Sequence, residues 1–209
     1  MDKRFTGPDR ETAARLLENQ NRLQQEADSV LADLDLLPLL ETIGQTQLVG
    51  SAVTGLMAWR DIDVSVICDP LDPQRIWSAL RPLAAHPGVK KLRWSNESDR
   101  FNPTGLPQDE GFYLGIHYRR DGTNTGPLWK LDCWFLTPAA PRLDLALIDR
   151  LASSLDEETR LAVLWIKSSW AVRPEYRNGV YSVDIYEAVL DHGVRSPGAF
   201  AAWLERRKP

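Results

Sequence analysis

The chain has 209 residues, with 29 acidic against 25 basic side chains and a formal net charge of −4. An acidic total argues against a dedicated nucleic-acid binder, which needs a basic footprint over phosphates, and suits a neutral or cationic small substrate. Two cysteines (Cys68, Cys133) in apolar runs exclude a disulfide framework, and three histidines leave too few ligands for a His/Cys zinc site.

No run approaches the roughly 18 apolar residues of a membrane span, and the N-terminus MDKRFTGPDRETAARLLENQ lacks the apolar core of a signal peptide. The expectation is a soluble, cytoplasmic protein with no membrane partner.

In chain order, Leu16, Leu23, Ala27, Val30, Leu31 and Leu34 recur at three, four and seven. That spacing predicts an amphipathic helix starting near Pro8-Asp9, bending near Pro38 and stopping at Gly44. Its glutamine-rich, charged outer face favours packing on the main domain over a coiled coil. Gln47 to Val49 reads as a short strand ending in Gly50-Ser51. Asp61 to Cys68, DIDVSVIC, alternates polar and apolar with period two and predicts a half-buried strand. A helix over 73–86 would turn Ile76, Trp77, Leu80 and Leu83 inward.

Three further strands are expected at 89–95, 111–119 and 127–136, separated by turn-rich loops at 96–109 and 121–126. After Pro138 and Pro141 the pattern becomes helical: 143–154, 156–171 with Leu161, Leu164, Trp165 and Ser168 on one side, 181–192 closed by Gly193, and 197–207. The expected fold class is α+β. A mixed β-sheet core (45–138) stands between an N-terminal helical segment (1–44) and a C-terminal helical subdomain (139–209).

The informative stretch is LVGSAVTGLMAWRDIDVSV. Residues two apart on a strand share a face, so Asp61 and Asp63 project together while Ile62 and Val64 face the core. Carboxylates that close repel unless neutralised. A hard cation such as Mg²⁺, which binds through one or two carboxylates plus substrate phosphates, is the natural neutraliser. Gly50 lets backbone approach a phosphate closely, and the Ser51 hydroxyl and N–H are donors for phosphate oxygens. Arg60 either reaches a phosphate or stands exposed at the strand start.

Gly50-Ser51, nine intervening residues and Asp61-Ile62-Asp63-Val64 resemble the signature of the DNA-polymerase-β-like nucleotidyltransferase superfamily. The resemblance covers about residues 47 to 136. It implies a third carboxylate from a later strand, supplied here by Asp132 in WKLDCWF. It also implies a lysine or arginine of the helical tail on the phosphates, for which Lys167 is the candidate. Lys130 alternates with Asp132 and either contacts the triphosphate or pairs with a carboxylate. One departure stands out. Where many members open a charged helix after Gly-Ser, this chain has apolar AVTGLMAW with an internal Gly55, which predicts a short helix.

Tyr176, Arg177, Tyr181 and Tyr186 either line a substrate pocket or pack. Trp59, Trp129 and Trp134 stack on a substrate or fill the core, and His117 reads as an ordinary strand residue. Lys90, Lys91, Arg93, Arg119 and Arg120 form a basic cluster that is either a solvated face or an anion receiver. The function implied is transfer of a nucleoside monophosphate from a nucleoside triphosphate, read as ATP, to the hydroxyl of a small acceptor. Two Mg²⁺ ions would be held by Asp61, Asp63 and Asp132. The alternatives are transfer to RNA or protein and a non-catalytic nucleotide-binding module. Nucleic acid is not the expected partner, and the oligomeric state is open.

Overall fold

The computed structural model describes residues 7–102, 104–106, 110–120, 125–140 and 143–207. Among them lie one five-stranded sheet and eight α-helices: α1 (Arg10–Asp33), α2 (Leu36–Glu41), β1 (Gln45–Val49), α3 (Ser51–Thr54), β2 (Asp61–Ile67), α4 (Pro73–Ala85), β3 (Val89–Glu97), β4 (Gly111–Tyr118), β5 (Trp129–Leu136), α5 (Leu143–Ser154), α6 (Glu157–Trp170), α7 (Ser182–Leu190) and α8 (Pro197–Arg207). The fold is α+β, as the patterning predicts. None of the described helices is long and apolar enough to cross a membrane. Parts of the predicted loops at 96–109 and 121–126 fall outside the described residues.

The sheet runs β1-β2-β5-β4-β3. β2 and β5 pair in parallel, and every other neighbour is antiparallel. The chain divides into two compact units, Met1–Leu23 with Gly55–Trp59 and Arg150–Pro209, and Gln24–Thr54 with Arg60–Asp149.

The second unit carries the sheet. One face is fully buried: Ile62, Val64, Val66, Leu114, Ile116, Leu131, Cys133 and Phe135 are each 0% exposed. Against this core the unit buries Ile76, Leu80 and Leu83 of α4 and Leu36 and Leu40 of α2. Asp72 starts α4 by accepting from the Gln74 N–H at 2.8 Å, with Pro73 in the first turn.

In the first unit, Asp156 and Thr159 form a reciprocal capping box at the start of α6. The buried face of α6 is Ala162, Val163, Leu164, Ile166, Lys167 and Trp170. Arg160 reaches Gln20 Oε1 at 2.6 Å and the Gly55 carbonyl at 3.2 Å, which ties the short 55–59 segment to the helices.

Several expectations shift. The first helix breaks at Leu34-Asp35, where Asp35 takes a left-handed φ of 47°, rather than at Pro38. Pro38 falls in the first turn of α2, where a missing N–H leaves no hydrogen bond unmade. Trp77 is 40% exposed instead of inward, its ring tilted against that of Trp94 with centroids 4.9 Å apart. On α6, Leu161, Trp165 and Ser168 are only half-buried, and the inward stripe lies one position over.

Candidate active site

The alternation of β2 does what its sequence promises. Ile62 and Val64 enter the core, while Asp61 and Asp63 stand half-buried on the other face. Asp132 joins them because β5 lies beside β2 in a parallel register that puts Asp63 opposite Asp132 and Asp61 opposite Lys130. Oxygen atoms of Asp61, Asp63 and Asp132 lie within 4.8 Å of one another. Among the described residues this is the group of acidic and sulfur or imidazole side chains close enough to share an ion.

Gly50 closes the site from β1's end. Its φ is +70°, and a Cβ there would fall 2.4 Å from Asp63 Oδ2. Only a residue without a side chain lets the backbone pass that near a carboxylate. The Gly50 carbonyl accepts from the Val53 and Thr54 N–H groups, both at 3.3 Å, and α3 ends after four residues where Gly55 takes a φ of +67°. The short helix expected from AVTGLMAW is therefore present, with Ser51 buried at its first position.

Asp132 is held from two sides. Tyr113 of β4 donates its hydroxyl to Oδ1 at 2.7 Å, and Lys130 donates its ammonium to Oδ2 at 2.5 Å. Of the two open alternatives for Lys130, this conformation has the carboxylate pair. Burial first, and then the bond to Asp132, push the Tyr113 phenol far above its ordinary range, so the residue is a neutral donor. Its reach depends on Gly115, the residue opposite Asp132, where a Cβ would fall 2.6 Å from the Tyr113 hydroxyl.

Sequence reasoning missed Tyr113. Its signal was a tyrosine two residues before a glycine on the strand beside the third carboxylate, legible only once the strand order was known. His117 lies opposite Lys130, and burial, then Lys91 and Lys130, hold its imidazole below the usual range.

A hard divalent cation fits this donor set: oxygen ligands alone, three carboxylates converging, and glycine backbone alongside. Asp61, Asp63 and Asp132 are the residues that would hold it.

The other sequence candidates have the following partners. Arg60 bonds Glu26 of α1, with Nε 3.0 Å from Oε2. Lys167 is 1% exposed, and its ammonium donates to the Leu56 carbonyl at 2.8 Å and the Tyr186 hydroxyl at 3.3 Å, over the Trp59 ring at 4.7 Å. Tyr176 packs edge-on against Trp59 at 5.0 Å, and Arg177 lies over the same ring at 5.3 Å. Trp129 is core, and Trp134 packs on Tyr113 at 5.1 Å. The basic cluster is split. Arg120 pairs with Asp33 and Arg119 with the Gly126 carbonyl. The register sets Lys91 opposite His117 and Arg93 opposite Gly115, on the carboxylate face.

No family model and no curated protein matches the chain. Solved structures do. A cytoplasmic RNA terminal U-transferase superposes with a TM-score of 0.54 at 18% identity, over 87% of this chain and 51% of its own. The Cid1 poly(U) polymerase gives 0.56 at 18%, over 86% and 53%. The same polymerase with Mg 3′-dATP bound gives 0.50 at 18%, over 78% and 48%. The chain spans about half the length of these proteins. At such identity the likeness speaks for architecture alone: the chain shares the fold of these nucleotidyltransferases.

Proposed function

We propose that this protein transfers a nucleoside monophosphate from a nucleoside triphosphate, with ATP the first donor to test, to a hydroxyl group. The observation that carries the reading is the convergence of Asp61, Asp63 and Asp132 within 4.8 Å on one sheet face of this fold. Bound by these carboxylates, two Mg²⁺ ions would supply electrophilic activation at phosphorus and stabilise the attacking and leaving oxygens.

The residues' own work is positional. β2 and β5 hold three carboxylates in fixed register, so little reorganisation is needed at the moment of reaction. Tyr113 fixes the orientation of Asp132. Gly50 and Ser51 are assigned to the triphosphate through backbone and hydroxyl donors. Arg60 belongs to the same assignment and would have to loosen its present partner, Glu26, to serve a phosphate; Lys167 would be free for one only by leaving the Leu56 carbonyl within its own unit.

The acceptor is read as a small hydroxylated molecule. A second reading, transfer to RNA or protein, has its own support. Lys91 and Arg93 stand on the carboxylate face two strands from β5, where they favour an anionic acceptor. The solved neighbours include an RNA terminal U-transferase.

The test is label transfer from each α-labelled nucleoside triphosphate, with Mg²⁺, to a panel of aminoglycosides, tRNA and proteins. Label should move to one class, and Asp63→Ala should abolish the transfer while leaving the circular dichroism spectrum unchanged. Undiminished transfer by that variant would refute the site.

A further inference from the structure

Three carboxylates within 4.8 Å repel one another, and the folded chain has to tolerate that repulsion whenever no divalent ion is present. The structure contains a device for doing so. Lys130 lies on the same face of β5 as Asp132, two residues before it, and directly opposite Asp61 across the parallel pair. Its ammonium bonds Asp132 Oδ2 at 2.5 Å, while Tyr113 occupies Oδ1 at 2.7 Å. Both oxygens of the third carboxylate are therefore taken by donors of the protein itself.

The two donors differ in kind. Tyr113 is neutral, and its rigid ring sits in the gap left by Gly115. Lys130 is a full positive charge on a flexible stem, and its side chain is 34% exposed against 14% for Asp132. An ammonium and a divalent cation on one carboxylate oxygen repel each other strongly at contact distance. The partly exposed partner on the longer, more flexible stem is the one that can leave.

We propose that Lys130 is an internal counter-ion for Asp132 that competes with the divalent cation and is displaced when the ion enters. Tyr113 stays in place and keeps Asp132 aimed. The proposal rests on the metal-site reading above and adds an antagonist to it: the lysine holds the site together without metal and weakens metal binding by doing so. Once displaced, the ammonium stands beside the site, available to an anionic oxygen of the substrate.

The experiment uses Mn²⁺ as probe, with free ion counted by electron paramagnetic resonance, and thermal melts in chelator and in saturating Mg²⁺. Lys130→Met should bind Mn²⁺ about fivefold tighter than wild type, the factor carried by the roughly 1 kcal/mol that a part-exposed ion pair is worth at most. It should melt lower than wild type in chelator, and the deficit should close in saturating Mg²⁺. Lys130→Arg should keep wild-type affinity. Tyr113→Phe, which removes a neutral donor, should not tighten binding.

Unchanged or weaker Mn²⁺ binding by Lys130→Met overturns the proposal, as does a melting deficit of equal size with and without Mg²⁺, the mark of a merely structural ion pair. Should Lys130→Met fold only with metal, chelator competition from the loaded state gives the same affinity comparison. If folded wild-type protein takes up no Mn²⁺ at all, the metal-site reading itself falls, and the counter-ion with it.

Discussion

Gly50 and Gly115 are two bare positions that the site cannot fill. At Gly50 an L-residue meets two costs together: a left-handed backbone, worth about 1–2 kcal/mol, and a Cβ 2.4 Å from Asp63 Oδ2. Gly50→Ala should therefore lower stability by at least that amount in urea melts and also displace the Asp63 carboxylate. The thermal stabilisation by Mg²⁺ that the metal-site proposal expects of the wild type should vanish in the variant. A full shift retained by Gly50→Ala would mean that this glycine plays no part in shaping the site. Gly115 works differently, since its backbone is ordinary and only the Tyr113 hydroxyl needs its space. Asp61, Asp63 and Gly50-Ser51 were legible as a candidate site because strand periodicity and local spacing place them. Tyr113 was not, because nothing local tells a tyrosine which strand will lie beside it.

At the scale of elements, the β2–β5 pair is the determining contact. Its parallel register puts Asp63 against Asp132, while the opposite faces bury Ile62, Val64, Leu131 and Cys133 completely. A slip of one residue in either strand would drive the carboxylates into the core and the aliphatics into water, so burial locks the register that makes the site. Ile62, flanked by the two catalytic candidates of β2, reports on that lock. Ile62→Ala should cost about 2–5 kcal/mol, read as a lower urea midpoint with unchanged slope. A loss well below that range would mean that the core under the carboxylates is loosely packed. The same burial logic corrects two helix expectations. The stripe on α6 was set one position off because Lys167 reads as polar in the sequence yet is buried. Trp77 was expected inward, but Trp94 offers it a ring at the surface.

At the scale of the whole sheet-bearing unit, which holds both cysteines, the two thiols report on integrity. Cys68 is 1% exposed with its thiol pushed up to about 11 by burial, and Cys133 is fully buried with its thiol raised further, first by burial and then by Asp132 and Asp63. Since the thiolate is the reactive form, neither should label with a disulfide reagent at pH 8 in the native protein, and both should label once it is unfolded by urea. Rapid native labelling of either would contradict the core packing described here. Both cysteines are free and buried, as their apolar flanks suggested.

The sequence by itself determined the α+β class, nearly every strand and helix, and the projection of Asp61 and Asp63 from one face, because these depend on periodicities of two and 3.6 residues that local side chains carry. Only tertiary structure decided that β5 lies parallel beside β2, that Asp132 is bonded by Tyr113 and Lys130, and that Arg60 and Lys167 are already engaged with other groups. Those facts depend on which distant segments pack together, and a shared buried face chooses that pairing over the whole sheet rather than within any one strand.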